Sequence, residues 1–206
     1  MHKPTLYTAV PSRGGMVLWM LAECDAPYDT VVLKLGENNR SPEYLAINPL
    51  GKVPALKVGS KILTETVAII TYLAEQFPQK QLIPAEGSIE RGEYYRWMCF
   101  ALQLEYGAID KMRGIDNPPE IRSSIGYGDF ETALNVLRTH LDGREFIVGD
   151  RFSAMDLYYS GLLDWFNKVQ IVPADEVFDR YTGRHLARAA HLQSLEQEKI
   201  LAAQVG

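Results

Sequence analysis

Cysteine is scarce in this chain, with only Cys24 and Cys99 among 206 residues. Both fall in apolar helical patterns, which predicts buried thiols in a reducing compartment and argues against a disulfide framework. Two cysteines and four histidines, none at ligand spacing, predict no metal site. No run of Lys or Arg occurs, and a net charge of −5 with a pI near 5.4 argues against nucleic acid or an anionic membrane surface as the main partner. No apolar stretch approaches the roughly 20 residues that a membrane helix needs. Met1-His2-Lys3-Pro4 leads into a short strand pattern, so neither a signal peptide nor a span is expected, and the expected location is cytoplasmic.

What is present is core-forming sequence: 47% hydrophobic and 23% charged residues suit a globular protein with a substantial interior. Thr5 to Val10 reads as a strand, Met16 to Cys24 as a helix and Tyr28 to Leu35 as a second strand. Ser41-Pro42 then opens a helix, as an N-cap with proline at the first helical position. Two strands, Val53–Val58 and Lys61–Thr64, flank a Gly59-Ser60 turn, and Thr66 to Phe77 has helical spacing. The order β-α-β-α-β-β-α predicts a mixed sheet, with the first two strands parallel and the last two an antiparallel hairpin. Residues 78–87 carry two prolines and no periodicity and read as a linker. Beyond them the pattern is helical. Ser88 caps a long helix with Tyr94, Met98, Ala101, Leu102, Glu105, Ile109 and Met112 on one side. Pro118-Pro119 starts another that runs to about Leu141, with a kink or break expected at Gly126 and Gly128. Ser153 and Asp156 form a capping box with Phe152 and Leu157 as its staple. The expected division is 1–77, a linker over 78–87, and an all-helical 88–206.

The most informative stretch is Asn48-Pro49-Leu50-Gly51-Lys52-Val53-Pro54-Ala55-Leu56, answered by Leu63-Thr64-Glu65-Thr66. Asn48-Pro49 and Gly51 predict a tight loop. Pro54, which has no N–H, belongs at the mouth of a strand, and a cis Val53–Pro54 bond would turn the Val53 N–H and C=O outward, toward an extended peptide ligand. Glu65-Thr66 is a strand-to-helix junction. Its free N–H groups and positive helix end welcome a carboxylate, with the Thr66 hydroxyl as an added donor, while Glu65 can hold an ammonium. Each piece alone is also an ordinary turn, edge proline or helix cap; their order and spacing together describe a site for the α-amino acid end and middle of a small peptide.

In "NPLGKVPAL" and "LTET", and more weakly across nearly its whole length, the chain resembles the cytosolic glutathione transferases, whose first domain is thioredoxin-like. The resemblance implies an α/β thioredoxin-like N-terminal domain followed by an all-α C-terminal domain. It implies glutathione as co-substrate, with Val53 and Pro54 at its cysteinyl part, Glu65 and Thr66 at its γ-glutamyl end and Lys52 at its glycyl carboxylate. It also implies a two-fold homodimer and a small electrophilic second substrate or peroxide.

Such chemistry needs a group that favours a thiolate, because a free thiol has a pKa near about 8.5. Ser12 follows the first strand and precedes a helix N-terminus, where its hydroxyl and nearby N–H groups can donate to sulfur. The position resembles the serine of theta- and zeta-like members. Tyr7 lies inside the strand, and alignment with tyrosine-type members puts Ala9 where their tyrosine stands. Arg13 stands where beta-type members carry cysteine, and it either adds positive potential or is a solvated cation. Ser12-Arg13-Gly14 replaces the Ser-Ser-Cys of zeta-type isomerases, which argues against maleylacetoacetate isomerisation. Ala9, Met98, Leu102, Tyr106, Met112 and Trp165 are candidates to meet the second substrate, although methionines and aromatics at helical spacing also serve as core. A non-catalytic interaction or regulatory relative is the other functional class.

Overall fold

The computed structural model describes residues 3–205, so the expectation for Met1 and His2 falls outside it. Contacts divide the chain into two compact units, Met1–Leu82 with Ala187–Gly206, and Ile83–Leu186. Among the described residues no helix is long and apolar enough to cross a membrane.

The first unit opens with β1 (Thr5–Thr8), α1 (Gly14–Glu23) and β2 (Asp29–Val32), followed by a 3-10 turn at Asn38–Arg40 and the short α2 (Pro42–Leu45). It continues through β3 (Ala55–Val58), β4 (Lys61–Thr64) and α3 (Thr66–Gln76). The sheet order is β2-β1-β3-β4, with β1 parallel to β2 and antiparallel to β3, and β3 antiparallel to β4. This is the expected mixed sheet. A parallel pair demands a crossover, which α1 supplies, while the Gly59-Ser60 turn closes the β3–β4 hairpin.

Helix α1 carries five consecutive buried residues, Val17, Leu18, Trp19, Met20 and Leu21. A helix covered on one face would show only every third or fourth. Two helices cover it: α3, and the final helix α8 (Ala189–Ala202). The sequence places 88–206 in one helical domain, whereas contact with α1 returns the last helix to the first unit. Arg188, at the N-cap of α8, donates from Nε and Nη2 to the two carboxylate oxygens of Glu23 at 2.6 and 2.8 Å. Trp19 Nε1 donates to the same carboxylate at 3.0 Å, and its ring lies 4.5 Å from that of His191.

The second unit comprises α4 (Ile89–Met112), a 3-10 turn at Pro119–Ser124, α5 (Phe130–Leu141), α6 (Ala154–Lys168) and α7 (Glu176–Leu186). Ser88 caps α4 as expected, accepting from Arg91 N–H at 3.2 Å. The buried face of α4 differs from the predicted one. Tyr94, Trp97, Ala101, Leu104, Glu105, Gly107 and Ala108 are buried, and Met112 is exposed, because α5 and α6 cover different sides of this helix. The break at Gly126 and Gly128 is present, and Asp129 restarts the helix by accepting from Thr132 N–H at 2.9 Å. Helix α6 is buried at every position from Ala154 to Ser160 and begins at the predicted capping box. Both cysteines are free thiols, but only Cys24 is buried; Cys99 is exposed on α4, contrary to its apolar context in sequence. Burial pushes the Cys24 thiol up to about 12, so it stays protonated.

Candidate functional site

The sheet register assembles the predicted pieces. Ala55 lies opposite Tyr7 on one side and Thr64 on the other. Pro54 immediately precedes Ala55, Glu65 immediately follows Thr64, and the chain leaving β1 after Thr8 reaches Ser12. Ser12, Val53–Pro54 and Glu65–Thr66 therefore stand at one end of one sheet. The Val53–Pro54 bond is cis, as is Val10–Pro11, which the sequence reading missed.

The loop before Pro54 is held from behind. The Tyr44 hydroxyl donates to the Lys52 carbonyl at 2.6 Å, and Asn48 Nδ2 donates to the same oxygen at 2.8 Å. Burial holds the Tyr44 hydroxyl above its ordinary pKa, so it remains a donor at neutral pH. Asn39, itself buried, donates from Nδ2 to the Gly51 carbonyl at 2.9 Å and accepts from Gly36 N–H at 2.6 Å. Gly51 has a φ of +60°, and a Cβ there would fall 2.7 Å from the Asn39 carbonyl oxygen. Only glycine meets both demands. The result is a fixed backbone at Lys52 and Val53, with the Lys52 side chain exposed, Val53 half-buried and Pro54 buried. Tyr44 and Asn39 carry no local signal of this role, since their partners lie 8 and 12 residues away.

Glu65 is exposed and forms the N-cap of α3 with φ +64° and ψ 117°, a conformation that costs a non-glycine residue about 1 kcal/mol or more. No side chain caps this helix start, and Thr66, its first residue, is buried. The start of α1 differs: Arg13 at its N-cap is exposed and makes no side-chain cap bond, but the N–H groups of Gly14, Gly15 and Met16 donate to Ser12 Oγ and to the Ser12 and Arg13 carbonyls at 3.0, 3.1 and 3.2 Å. Ser41, Ser88 and Asp129 do cap their helices. The start of α3 at the sheet end thus presents backbone N–H groups without a side-chain acceptor, a setting suited to negative charge.

Ser12 is half-buried, and its Oγ accepts from Gly14 N–H at 3.0 Å. That bond uses a lone pair and fixes the oxygen, leaving the O–H proton to donate elsewhere. Gly15 N–H donates to the Ser12 carbonyl at 3.1 Å, so Ser12 to Gly15 is one tight turn. A Cβ on Gly14 would fall 1.8 Å from Thr8 Oγ1, so glycine is required where the turn crosses the end of β1. Tyr7 is half-buried within β1, its ring 5.9 Å from that of Tyr44.

Residues 3–75 match the family described as glutathione S-transferase, N-terminal domain. The chain is 34% identical to glutathione S-transferase GstA of Escherichia coli O157:H7 over 63% of its own length, spanning 64% of that protein, just under two thirds. It is 30% identical to glutathione S-transferase GST-4.5 of Xanthomonas campestris pv. campestris over 77% of its own length and 81% of that protein. This chain belongs to the glutathione S-transferase family. A sphingomonad glutathione S-transferase complexed with glutathione superposes on it with a TM-score of 0.78 at 28% identity, covering 95% of this chain and 98% of that one. The thioredoxin-like first unit and helical second unit agree with that likeness.

The candidates for a second substrate in this glutathione S-transferase differ in burial. Met98 and Leu102 are half-buried on α4, and Tyr106 and Met112 further along it are 65% and 51% exposed. Trp165 is half-buried on α6, its ring 5.5 Å from that of Phe166, while Ala9 is buried after β1.

Proposed function

We propose that this family member is a working transferase that binds glutathione at the sheet end and ionises its thiol for attack on a small hydrophobic electrophile or peroxide. The reading is carried by the convergence of Ser12, Val53 and Glu65–Thr66 at one sheet end, the last of them at a helix start that no side chain caps. In this reading the γ-glutamyl ammonium of glutathione meets the Glu65 carboxylate. Its carboxylate takes the first N–H groups of α3 and the Thr66 hydroxyl. The cysteinyl backbone runs along Val53 beside Pro54, and the glycyl carboxylate faces Lys52. The sulfur then lies toward Ser12, whose O–H donates to the thiolate, and Arg13 adds positive potential. The thiol proton leaves to solvent, and the thiolate forms the new bond to the electrophile as the leaving group departs. Each unit by which the thiol pKa falls requires about 1.36 kcal/mol of preference for the thiolate.

The family's homodimeric habit and a cytoplasmic location complete the proposal. Retention on immobilised glutathione, followed by turnover with a panel of electrophiles and peroxides, tests it. Retention without turnover of any member of the panel would favour the non-catalytic relative, and failure to be retained would remove the ligand assignment.

A further inference from the structure

The connection between α4 and α5 begins and ends on one residue, Asp110. At the close of α4 the Gly114 N–H donates to the Lys111 carbonyl at 3.0 Å and the Ile115 N–H to the Asp110 carbonyl at 2.9 Å. Gly114 has a φ of +70°, so this is a Schellman stop. At the other end of the connection, the Tyr127 hydroxyl donates to Asp110 Oδ2 and accepts from Asn117 Nδ2, each at 2.7 Å. Asp110 Oδ1 pairs with Arg113 at 3.4 Å, and Arg122 Nε donates to the Asn117 carbonyl at 2.9 Å. The Tyr127 ring lies on Gly107, where a Cβ would fall 3.1 Å from Tyr127 Cδ2, and the Gly126 backbone lies on the Gln103 amide. Residues 115–127 therefore form an Ω-shaped loop with both feet on Asp110. Beneath it a cavity of about 370 Å³ opens between Ile115, Arg122 and Phe130, and Ile115 and Ile121 are 40% and 45% exposed, so these bonds hold the loop more than a packed interior does.

We propose that Tyr127 is a positioning residue for the second substrate: it clasps the 115–127 loop to α4, where the loop walls the end of the row of side chains that meets that substrate. Met98, Leu102 and Tyr106, three of the candidates for that contact, follow one another at intervals of four, and Asp110 is the next member of the row. Side chains so spaced lie in line on one face of a helix, which sets the clasp directly beside Tyr106. Tyr106 is 65% exposed, so the loop beside it, and not core packing, decides the room a ligand finds there. A phenol suits the clasp because it donates to a carboxylate and still accepts from an amide. The bond to Asp110 also holds the Tyr127 hydroxyl above its ordinary pKa, so the clasp stays protonated at neutral pH. This inference rests on the glutathione reading above.

The test is calorimetric affinity for glutathione and for S-hexylglutathione, whose alkyl chain takes the place of the second substrate, in wild type, Tyr127→Phe and Asp110→Asn. Trypsin cleavage after Arg122 is followed in parallel. Tyr127→Phe keeps the ring on Gly107 and removes both hydroxyl bonds. Its preference for S-hexylglutathione over glutathione should fall about three- to tenfold, the effect of one net hydrogen bond, while affinity for glutathione itself stays within about twofold. Cleavage after Arg122 should quicken. Asp110→Asn keeps an oxygen to accept from Tyr127 and should fall between wild type and Tyr127→Phe in both readouts. If Tyr127→Phe is cleaved faster but keeps the wild-type preference, the clasp serves the loop alone and the inference fails. Unchanged preference with unchanged cleavage overturns it as well, since the hydroxyl then holds nothing. If wild type binds both compounds equally, the row on α4 meets no second substrate and the inference fails while the glutathione reading stands. If wild type binds neither, the glutathione reading fails and takes this one with it.

Discussion

Ser12 and Ser153 both stand just before a helix, and the chain treats them oppositely. Ser153 is buried, and Asp156 takes its backbone N–H at 2.8 Å and its hydroxyl at 2.9 Å. The other oxygen of Asp156 accepts from Ile147 N–H and the Tyr181 hydroxyl, each at 2.7 Å, so the start of α6 is closed by groups of its own unit. Ser12 instead accepts from Gly14 N–H through its oxygen, so its own O–H proton is left to donate, while the next two N–H groups of α1 go to the Ser12 and Arg13 carbonyls. A hydroxyl whose proton goes to a buried carboxylate serves the fold; one whose oxygen accepts from the backbone keeps its proton to give to a ligand. The same sequence sign, a small hydroxyl residue before an apolar helix, therefore serves folding in one unit and is assigned to chemistry in the other.

The comparison is broken most directly at Asp156. Asp156→Ala strands the Ile147 and Ser153 N–H groups and the Tyr181 hydroxyl in the interior, at about 1–3 kcal/mol for each donor that finds no substitute. A loss of about 3–5 kcal/mol in urea denaturation is expected, the range found when one partner of a buried charged network is removed. A loss below about 1 kcal/mol would show that the box is not what closes α6.

Glu65 sharpens the other side. Glu65→Gln removes the proposed partner of the glutathione ammonium and should weaken binding about ten- to a hundredfold, since a charged hydrogen bond contributes about 1.5–3 kcal/mol. Its effect on folding should be small, because Glu65 is exposed. Glu65→Gly should lose the same affinity yet fold no less stably, as glycine accepts the φ of +64° without strain. Calorimetry showing unchanged affinity in both variants would rule out this orientation of the ligand.

Asp156 also predicts a pH dependence. Burial raises its pKa to about 6 against the bonds from Ile147, Tyr181 and Ser153, which favour the charged form. A carboxyl whose folded pKa is raised binds more protons folded than unfolded between about pH 4 and 6. Its contribution is then complete below about pH 4 and is lost as pH rises through about 6. Wild type should therefore gain roughly 2 kcal/mol from this group on going from pH 7 to 4.5, relative to Asp156→Asn, which has no such proton to bind. Parallel stability curves for the two proteins over that range would show that the carboxyl is not raised.

Much of this was legible in the sequence, and what was not has identifiable causes. The β3–β4 hairpin, the cis Val53–Pro54 bond, the Ser88 cap, the break before α5 and the capping box each rest on residues adjacent in the chain, whereas the pairing of β1 with β3 does not. The clamp of Asn39, Tyr44 and Asn48 behind Lys52 depends on side chains reaching across a loop, which leaves no period to read. The buried face of α4 is not legible in the sequence because a helix covered on more than one side has no single apolar stripe. The return of α8 to the first unit turns on Glu23 and Arg188, 165 residues apart, while Leu192, Leu195 and Ile200 on that helix stay exposed. Cys99 sits among apolar residues in sequence, yet its position on α4 faces outward.

The smallest expected effect is also the most diagnostic. Ser12→Ala removes one half-buried hydroxyl and its bond to Gly14 N–H, so a stability loss of about 0.5–1.5 kcal/mol is expected, well short of that for Asp156→Ala. Glutathione affinity should change little, since Val53, Glu65 and Thr66 are assigned to the parts of the peptide on either side of the sulfur. The thiol should respond: without the donor its pKa should rise by about one unit, and conjugation at neutral pH should slow about tenfold. The rate should recover as pH is raised, because solution then ionises the thiol without help. Arg13→Ala should shift the same titration less, its charge being exposed and screened. If Ser12→Ala overlays wild type while Arg13→Ala moves, activation comes from the cation and the helix start, and the contrast between Ser12 and Ser153 reduces to one of burial.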